Sequence, residues 1–259
     1  MDLKIKGKNA LVCASSKGLG KACAMSLARE GVNVVMNGRT QETLDGAVQE
    51  VKSQASGTVS SVCCDITTES GRQQALAATD YYDIVVNNAA GPPPGDFHDW
   101  DRDAWIDALD ANMLTPIEII RTTVDGMIER GFGRIVNITS GAVKAPISFL
   151  GLSNGARAGL TGFVAGVARQ VAAHGVTINN LLPGRFDTDR LRGGIQFNAD
   201  KSEGDFHKMF EAGKNVIPAR RYGDPAEFGE ACAYLCSAQA AYVTGQNFLI
   251  DGGAYPGTL

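Results

Sequence analysis

Seven short apolar runs, separated by stretches with helical spacing, restrict this chain to a narrow set of folds. The runs are Ala10 to Ala14, Val32 to Met36, Val59 to Cys64, Ile84 to Val86, Arg134 to Ile138, Thr177 to Leu181 and Phe248 to Ile250. They are mostly β-branched and read as strands buried on both faces of a parallel sheet. Helical patterns lie between them, over Leu19 to Arg29, Glu42 to Ser53, Glu69 to Ala78, Asp101 to Arg130, Leu152 to Ala173 and Pro225 to Cys236. Strand and helix alternate throughout, which predicts an α/β protein: a doubly wound parallel sheet with helices on both faces. The chain has 259 residues, 44% of them hydrophobic, enough for one large core, so a single domain over 1–259 is expected.

Some helix signals have a mechanism. In Asp224-Pro225-Ala226-Glu227 the aspartate can cap, proline suits the first helical position, and the glutamate completes the spacing of a capping box. Leu152, Ala156, Leu160, Phe163, Val164, Val167 and Val171 recur at helical spacing and form a packing face. Residues 191–215 read as one long irregular stretch, with Gly193, Gly194 and Gly204 among charged residues. It is either a mobile lid over a substrate pocket or a plain surface excursion.

Ligands of a doubly wound sheet sit at the carboxyl ends of its strands, so the chemistry belongs in the strand-to-helix loops. The first of these, Ala14-Ser15-Ser16-Lys17-Gly18-Leu19-Gly20, opens a helix. Its glycines let the backbone approach a pyrophosphate, and the helix N-terminus offers free N–H groups and a partial positive charge. The next strand ends in Val34-Val35-Met36-Asn37-Gly38-Arg39, with no acid to accept bonds from the ribose hydroxyls of NAD. Arg39 and Lys17 suit a 2′-phosphate instead, which selects NADP; the alternative is two solvated surface charges.

A net charge of −4 and a pI near 5.4 argue against a nucleic-acid or anionic-membrane surface and for a small-molecule substrate. No signal peptide or membrane-length apolar run is seen, so a cytoplasmic protein is expected. The six cysteines include no C-x-x-C pair, and no metal site is assigned to them.

Almost the whole sequence resembles the short-chain dehydrogenase/reductase family, in its 3-oxoacyl-ACP-reductase-like form, a single-domain Rossmann fold. Cys13 through Gly20 correspond to the family's T-G-x-x-x-G-x-G turn, with Cys13 and Ala14 in place of Thr and Gly. Asp65 resembles the aspartate that faces the adenine, and Asn87-Asn88-Ala89-Ala90 is similar to the N-N-A-G segment. Asn112 matches the asparagine of the fourth helix. Asn179, Pro183, Gly184 and Thr188 match the segment lining the nicotinamide, and Thr244-Gly245-Gln246 and Asp251-Gly252-Gly253 match the family's ending. The resemblance implies an NADP(H) site built from Ser15, Ser16, Lys17, Gly18, Leu19, Gly20, Arg39, Asp65, Asn88, Ala89, Arg157, Pro183, Gly184 and Thr188. It also implies a homodimer or homotetramer formed through the Leu152-to-Val171 stripe and the long helix before it.

Reducing a carbonyl leaves negative charge on oxygen, so a donor must sit there and deliver a proton. The family uses Ser, Tyr and Lys spaced S-x12-Y-x3-K. Ser140 matches the serine, but Ser153 stands at the tyrosine position and Arg157 at the lysine position, with the flanking register intact. Serine is shorter and far less acidic than a phenol of pKa ~10. Arginine keeps the positive charge but, with a pKa above ~12, cannot relay protons. The expected catalytic set is Asn112, Ser140, Ser153 and Arg157, with a water held by Ser153 and Asn112 supplying the proton. Ser140, Ser153 and Arg185 are the expected substrate contacts. Arg185 and Arg157 hold a carboxylate or phosphate, or else Arg185, Arg190 and Arg192 are surface arginines pairing with Asp187 and Asp189. Three functions stay open: an NADP-dependent carbonyl reductase or alcohol dehydrogenase, a nonredox lyase-like enzyme, and a noncatalytic NADP-binding subunit.

Overall fold

In the computed structural model, which describes residues 1–258, the seven apolar runs are strands: β1 (Asn9–Val12), β2 (Asn33–Gly38), β3 (Val59–Cys63), β4 (Ile84–Asn87), β5 (Gly133–Ile138), β6 (Val176–Pro183) and β7 (Asn247–Ile250). They pair in parallel in the order β3-β2-β1-β4-β5-β6-β7. The order reverses between β1 and β4, where loops leave in opposite directions and open a crevice.

The helices are α1 (Gly18–Arg29), α2 (Gln41–Lys52), α3 (Glu69–Leu76), α4 (Arg102–Leu109), α5 (Thr115–Glu129), α6 (Gly151–Val171), α7 (Asp189–Lys201), α8 (Phe206–Asn215) and α9 (Pro225–Cys236). Successive residues of a strand point to opposite faces, so the sheet feeds two cores. Val34, Met36, Val86, Val136 and Leu181 pack with Cys23, Leu27, Leu44 and Phe228 of α1, α2 and α9. Leu11, Val85, Ile135 and Ile178 pack with Ile119, Ile120, Leu160 and Val164 of α5 and α6. The expected single-domain, doubly wound α/β fold is the observed one, and α9 begins with the expected capping box.

Two segments differ from expectation. The helix expected over Asp101 to Arg130 is interrupted by a π-helical turn at Asp110–Leu114. Pro116 explains it: proline has no N–H for the carbonyl four residues back, that of Asn112, and its ring crowds that carbonyl. The stretch 191–215 is not irregular but falls in the helices α7 and α8, joined by a short turn at 202–205. Thr188 caps the first by accepting the Leu191 N–H at 3.4 Å, and Asp205 caps the second by accepting that of Lys208 at 2.7 Å. Phe210, Ile217 and Tyr222 form a small core of their own beneath them, and this packing outweighs the helix-breaking tendency of Gly193 and Gly194. Among the described residues, no helix is long and apolar enough to cross a membrane.

Candidate active site

The turn between β1 and α1 is tied down from both sides. The Ser15 hydroxyl donates to the Val12 carbonyl at 2.8 Å and accepts the Asn37 N–H at 3.0 Å, so this buried side chain is spent on joining the turn to β2. Ala14, where the family pattern has glycine, adopts φ +45°. That conformation disfavours a side chain, and it is fixed by Asn37 Oδ1, which accepts the Ala14 N–H, and by Asn88, whose amide donates to the Ala14 carbonyl. A Cβ at Gly20 would collide with that same carbonyl. Lys17 is the N-cap of α1 and makes no side-chain cap bond, so the N–H groups of Gly18, Leu19 and Gly20 receive no cap from it. Uncapped N–H groups at a helix N-terminus of this kind suit an anion such as a pyrophosphate.

Beyond the turn lies a cavity of about 300 Å³ lined by Ala14, Asn37, Gly38, Arg39, Asp65, Ile66, Thr67, Ala89, Ala90, Asp107, Asp110 and Ala111. Asp65 is shaped by accepting the Thr67 N–H and hydroxyl at 3.0 and 2.8 Å. Arg39 stands at the rim, its guanidinium 3.9 Å from the Asp65 carboxylate. The dimensions and donor set fit the adenosine end of a dinucleotide. Lys17 does not share this cavity: it lines a separate groove of about 360 Å³ with Lys21, Arg29, Asp187, Thr188 and Pro225. Asp107 and Asp110 are lining residues that sequence reasoning missed; their spacing of three on a helical segment was the available signal.

At the other end, α6 presents Ser153 and Arg157 one turn apart, each 8% exposed. Arg157 Nε donates to Ser153 Oγ at 3.2 Å and Nη1 to the Ile138 carbonyl at 2.7 Å. Burial, and secondarily the charge of Arg190, bring the Arg157 pKa down to about 10, so it stays cationic at neutral pH. Ser140 begins the loop after β5; its oxygen accepts the Ala142 N–H at 3.1 Å, which leaves its hydroxyl proton to donate. Asn112 reaches the Ala90 and Ala108 carbonyls at 3.5 and 3.4 Å through its amide nitrogen, while its Oδ1 is buried with no protein partner.

The chain matches the family model described as Enoyl-(Acyl carrier protein) reductase over residues 13–255. It is 30% identical to the 3-oxoacyl-[acyl-carrier-protein] reductase FabG of Vibrio cholerae, covering 98% of this chain and 99% of that protein. It is also 30% identical to dehydrogenase/reductase SDR family member 4 of Oryctolagus cuniculus, over 96% of this chain and 94% of that one. Its fold superposes on L-sorbose reductase of Gluconobacter frateurii, solved with NADPH and L-sorbose, with a TM-score of 0.93 at 26% identity, covering 99% and 100% of the two chains.

The chain is a short-chain dehydrogenase/reductase.

Within this short-chain dehydrogenase/reductase the segment after β6 is held close to β7. Gly184 donates to the Ile250 carbonyl at 2.8 Å, and a Cβ there would press on Asp251. Asn179 points inward, donating to the Val243 carbonyl and accepting the Gln246 N–H, so its amide braces the fold. The arginines separate. Arg192 is held bidentately by Asp187 at 2.6 and 2.7 Å, as surface pairing anticipates. Arg185 turns outward to the Gly213 carbonyl at 3.5 Å. Arg190, instead, lies against Gly91 and within the field of Arg157.

Sequence reasoning also missed a buried amide ladder. Asn87, Asn137, Asn180 and Asn247 occupy one register across β4, β5, β6 and β7. Each donates its amide to the next side-chain carbonyl, at 2.9, 3.1 and 2.9 Å. An asparagine near the carboxyl end of three adjacent apolar runs, with one more before the last, was the signal.

Proposed function

We propose that this protein is an NADP(H)-dependent oxidoreductase that reduces a carbonyl substrate, or oxidises the corresponding alcohol. The supporting observations are the uncapped α1 N-terminus for the pyrophosphate, Arg39 at the rim of the cavity beside it for a 2′-phosphate, and Ser140 with a hydroxyl proton left to donate. The solved neighbour bound to NADPH supports the same cofactor. The residues to hold it are Ser16, Lys17, Gly18, Leu19 and Gly20 at the phosphates, Arg39 and Asp65 at the adenosine, and Asn88, Ala89, Arg157, Pro183, Gly184 and Thr188 toward the nicotinamide. Ser15 supports the turn from below. The cofactor, when bound, supplies the hydride.

Ser140 donates its hydroxyl to the substrate oxygen and orients the carbonyl. The proton comes from a water held between Ser153 and Asn112 Oδ1, an acceptor that the protein leaves without a partner. Arg157, bonded to Ser153, places a positive charge beside the developing alkoxide. A water so held is a weaker acid than tyrosine, so proton delivery is the slow step. A second reading, nonredox chemistry in the same polar pocket, is favoured by one observation: the Ser153 hydroxyl is already engaged by Arg157.

NADPH oxidation with a panel of ketones and diketones distinguishes the two. The reductase reading expects one NADPH consumed per alcohol formed, and the double variant Ser153→Tyr, Arg157→Lys raises that rate ~10²-fold or more by restoring a phenolic acid beside a lysine. Turnover without NADPH oxidation in the native enzyme, with no reduction gained by a folded, NADPH-binding double variant, selects the nonredox reading.

A further inference from the structure

Arg157 and Arg190 both lie at the carboxyl ends of the paired strands β4 and β5: Arg157 bonds to the Ile138 carbonyl just after the paired Asn87 and Asn137, and Arg190 rests at Gly91 in the loop after β4. Arg157 is nine-tenths buried, and both its bonds go to uncharged oxygens, Ser153 Oγ and the Ile138 carbonyl. Arg190 lies in the first turn of α7 and, among the described residues, makes neither a hydrogen bond nor an ion pair, although Asp187 is nearby and holds Arg192. Its guanidinium rests on the backbone at Gly91: a Cβ there would stand 2.7 Å from Nη2 and 2.9 Å from Nη1. Only glycine lets it sit so close. Gly91 directly follows Ala90, whose carbonyl takes the Asn112 amide, so this contact brings Arg190 to the catalytic end of the cleft. The charge of Arg190, another cation, bears on Arg157.

Two guanidinium groups at the same end of adjacent strands, one of them out of water and neither paired with an acid, stay undercompensated until an anion joins them. A carboxylate is the anion whose planar pair of oxygens matches guanidinium donors. The cofactor's pyrophosphate already has its place at the α1 N-terminus. We propose that Arg157 and Arg190 form a clamp for the carboxylate of an oxo-acid substrate, with Arg190 as the solvent-side jaw. The clamp rests on the reading that this end of the cleft holds the reacting carbonyl, and it assigns to Arg190 the role expected from the sequence for Arg185.

The test is calorimetric titration of the NADP⁺-loaded protein with acetoacetate and 2-oxobutyrate and with their methyl esters, so that binding is read without turnover. At least one acid binds about tenfold or more tighter than its ester, as charge-assisted pairing requires. Arg190→Ala, an exposed position that leaves the fold intact, brings acid and ester within about threefold, and Arg190→Lys keeps part of the difference. NADP⁺ affinity stays within about threefold in both. Equal binding of acids and esters by the native protein overturns the clamp. So does an Arg190→Ala variant that loses about tenfold in NADP⁺ affinity while its acid-to-ester ratio stands, because the anion would then be the pyrophosphate. Selective acid binding without NADPH oxidation by any oxo compound leaves the clamp standing and removes the reductase reading; equal oxidation with acids and esters does the reverse.

Discussion

Arg39 is the residue on which the proposed choice of NADP turns. Its side chain is 67% exposed and 3.9 Å from the Asp65 carboxylate, and a pair that open and that long contributes little in water. The guanidinium is therefore free to turn to a phosphate, which offers charge-assisted bonds in return. NADPH is expected to bind at least ~10-fold more tightly than NADH, and Arg39→Ala to remove most of that difference. Equal affinities of the native protein for the two cofactors, measured by calorimetry, would refute it. Lys17 lines a different groove, so its substitution should matter less than that of Arg39. Ala14 shows a further local conflict: a non-glycine residue at φ +45° is held in place by two asparagines. Arg157 was legible as a change of residue type, but its bond to Ser153 and the nearness of the Arg190 charge depend on where side chains point.

At the level of elements, the asparagine ladder links four strands through side chains alone. Inside a sheet each of these amides would be costly if left unmade, and together they hold the carboxyl-end portions of β4, β5 and β6 and the start of β7 in register beneath the candidate site. Asn137 is central, donating to Asn180 and accepting from Asn87. Asn137→Leu removes both bonds and strands one donor and one acceptor, so a loss of about 2–5 kcal/mol is expected from urea unfolding. A loss below about 0.5 kcal/mol would mean the ladder carries no net stability. The break between α4 and α5 was legible too, since Pro116 stood inside the helical pattern. The pair α7 and α8 was not: two adjacent glycines weaken any local helix signal, and the aromatic cluster that offsets them comes from Phe210 and from Tyr222 beyond the helices.

For the whole molecule, the sheet order places the loops after β1 and β4 on the two sides of one crevice, and that arrangement decides where the cofactor can lie. The apolar stripe of α6 divides in the structure. Leu152, Ala156, Leu160, Val164 and Val171 are buried in the protein's own core, whereas Phe163 and Val167 remain partly open. Ile106 and Leu114, 48% and 46% exposed, add apolar surface on the α4 and π-turn segment. These open groups support a homodimer or homotetramer as a proposal. Sedimentation at micromolar concentration is expected to show a dimer or larger species, and a monomer would count against it.

The sequence by itself determined the seven strands, most of the helices, the doubly wound sheet and the glycine-rich turn. Each is written in local terms: apolar periodicity, cap residues, and glycine where backbone must approach backbone or phosphate. It also set Ser153 and Arg157 where the family resemblance expects tyrosine and lysine. Only the tertiary structure decided that Arg190 rests on Gly91 while Arg185 turns to Gly213, that Lys17 and Arg39 line different cavities, and that four asparagines from separate strands form one hydrogen-bonded row. Those outcomes depend on strand register, helix rotation and side-chain direction, and they bring together residues from distant segments that no pattern within a single segment can relate.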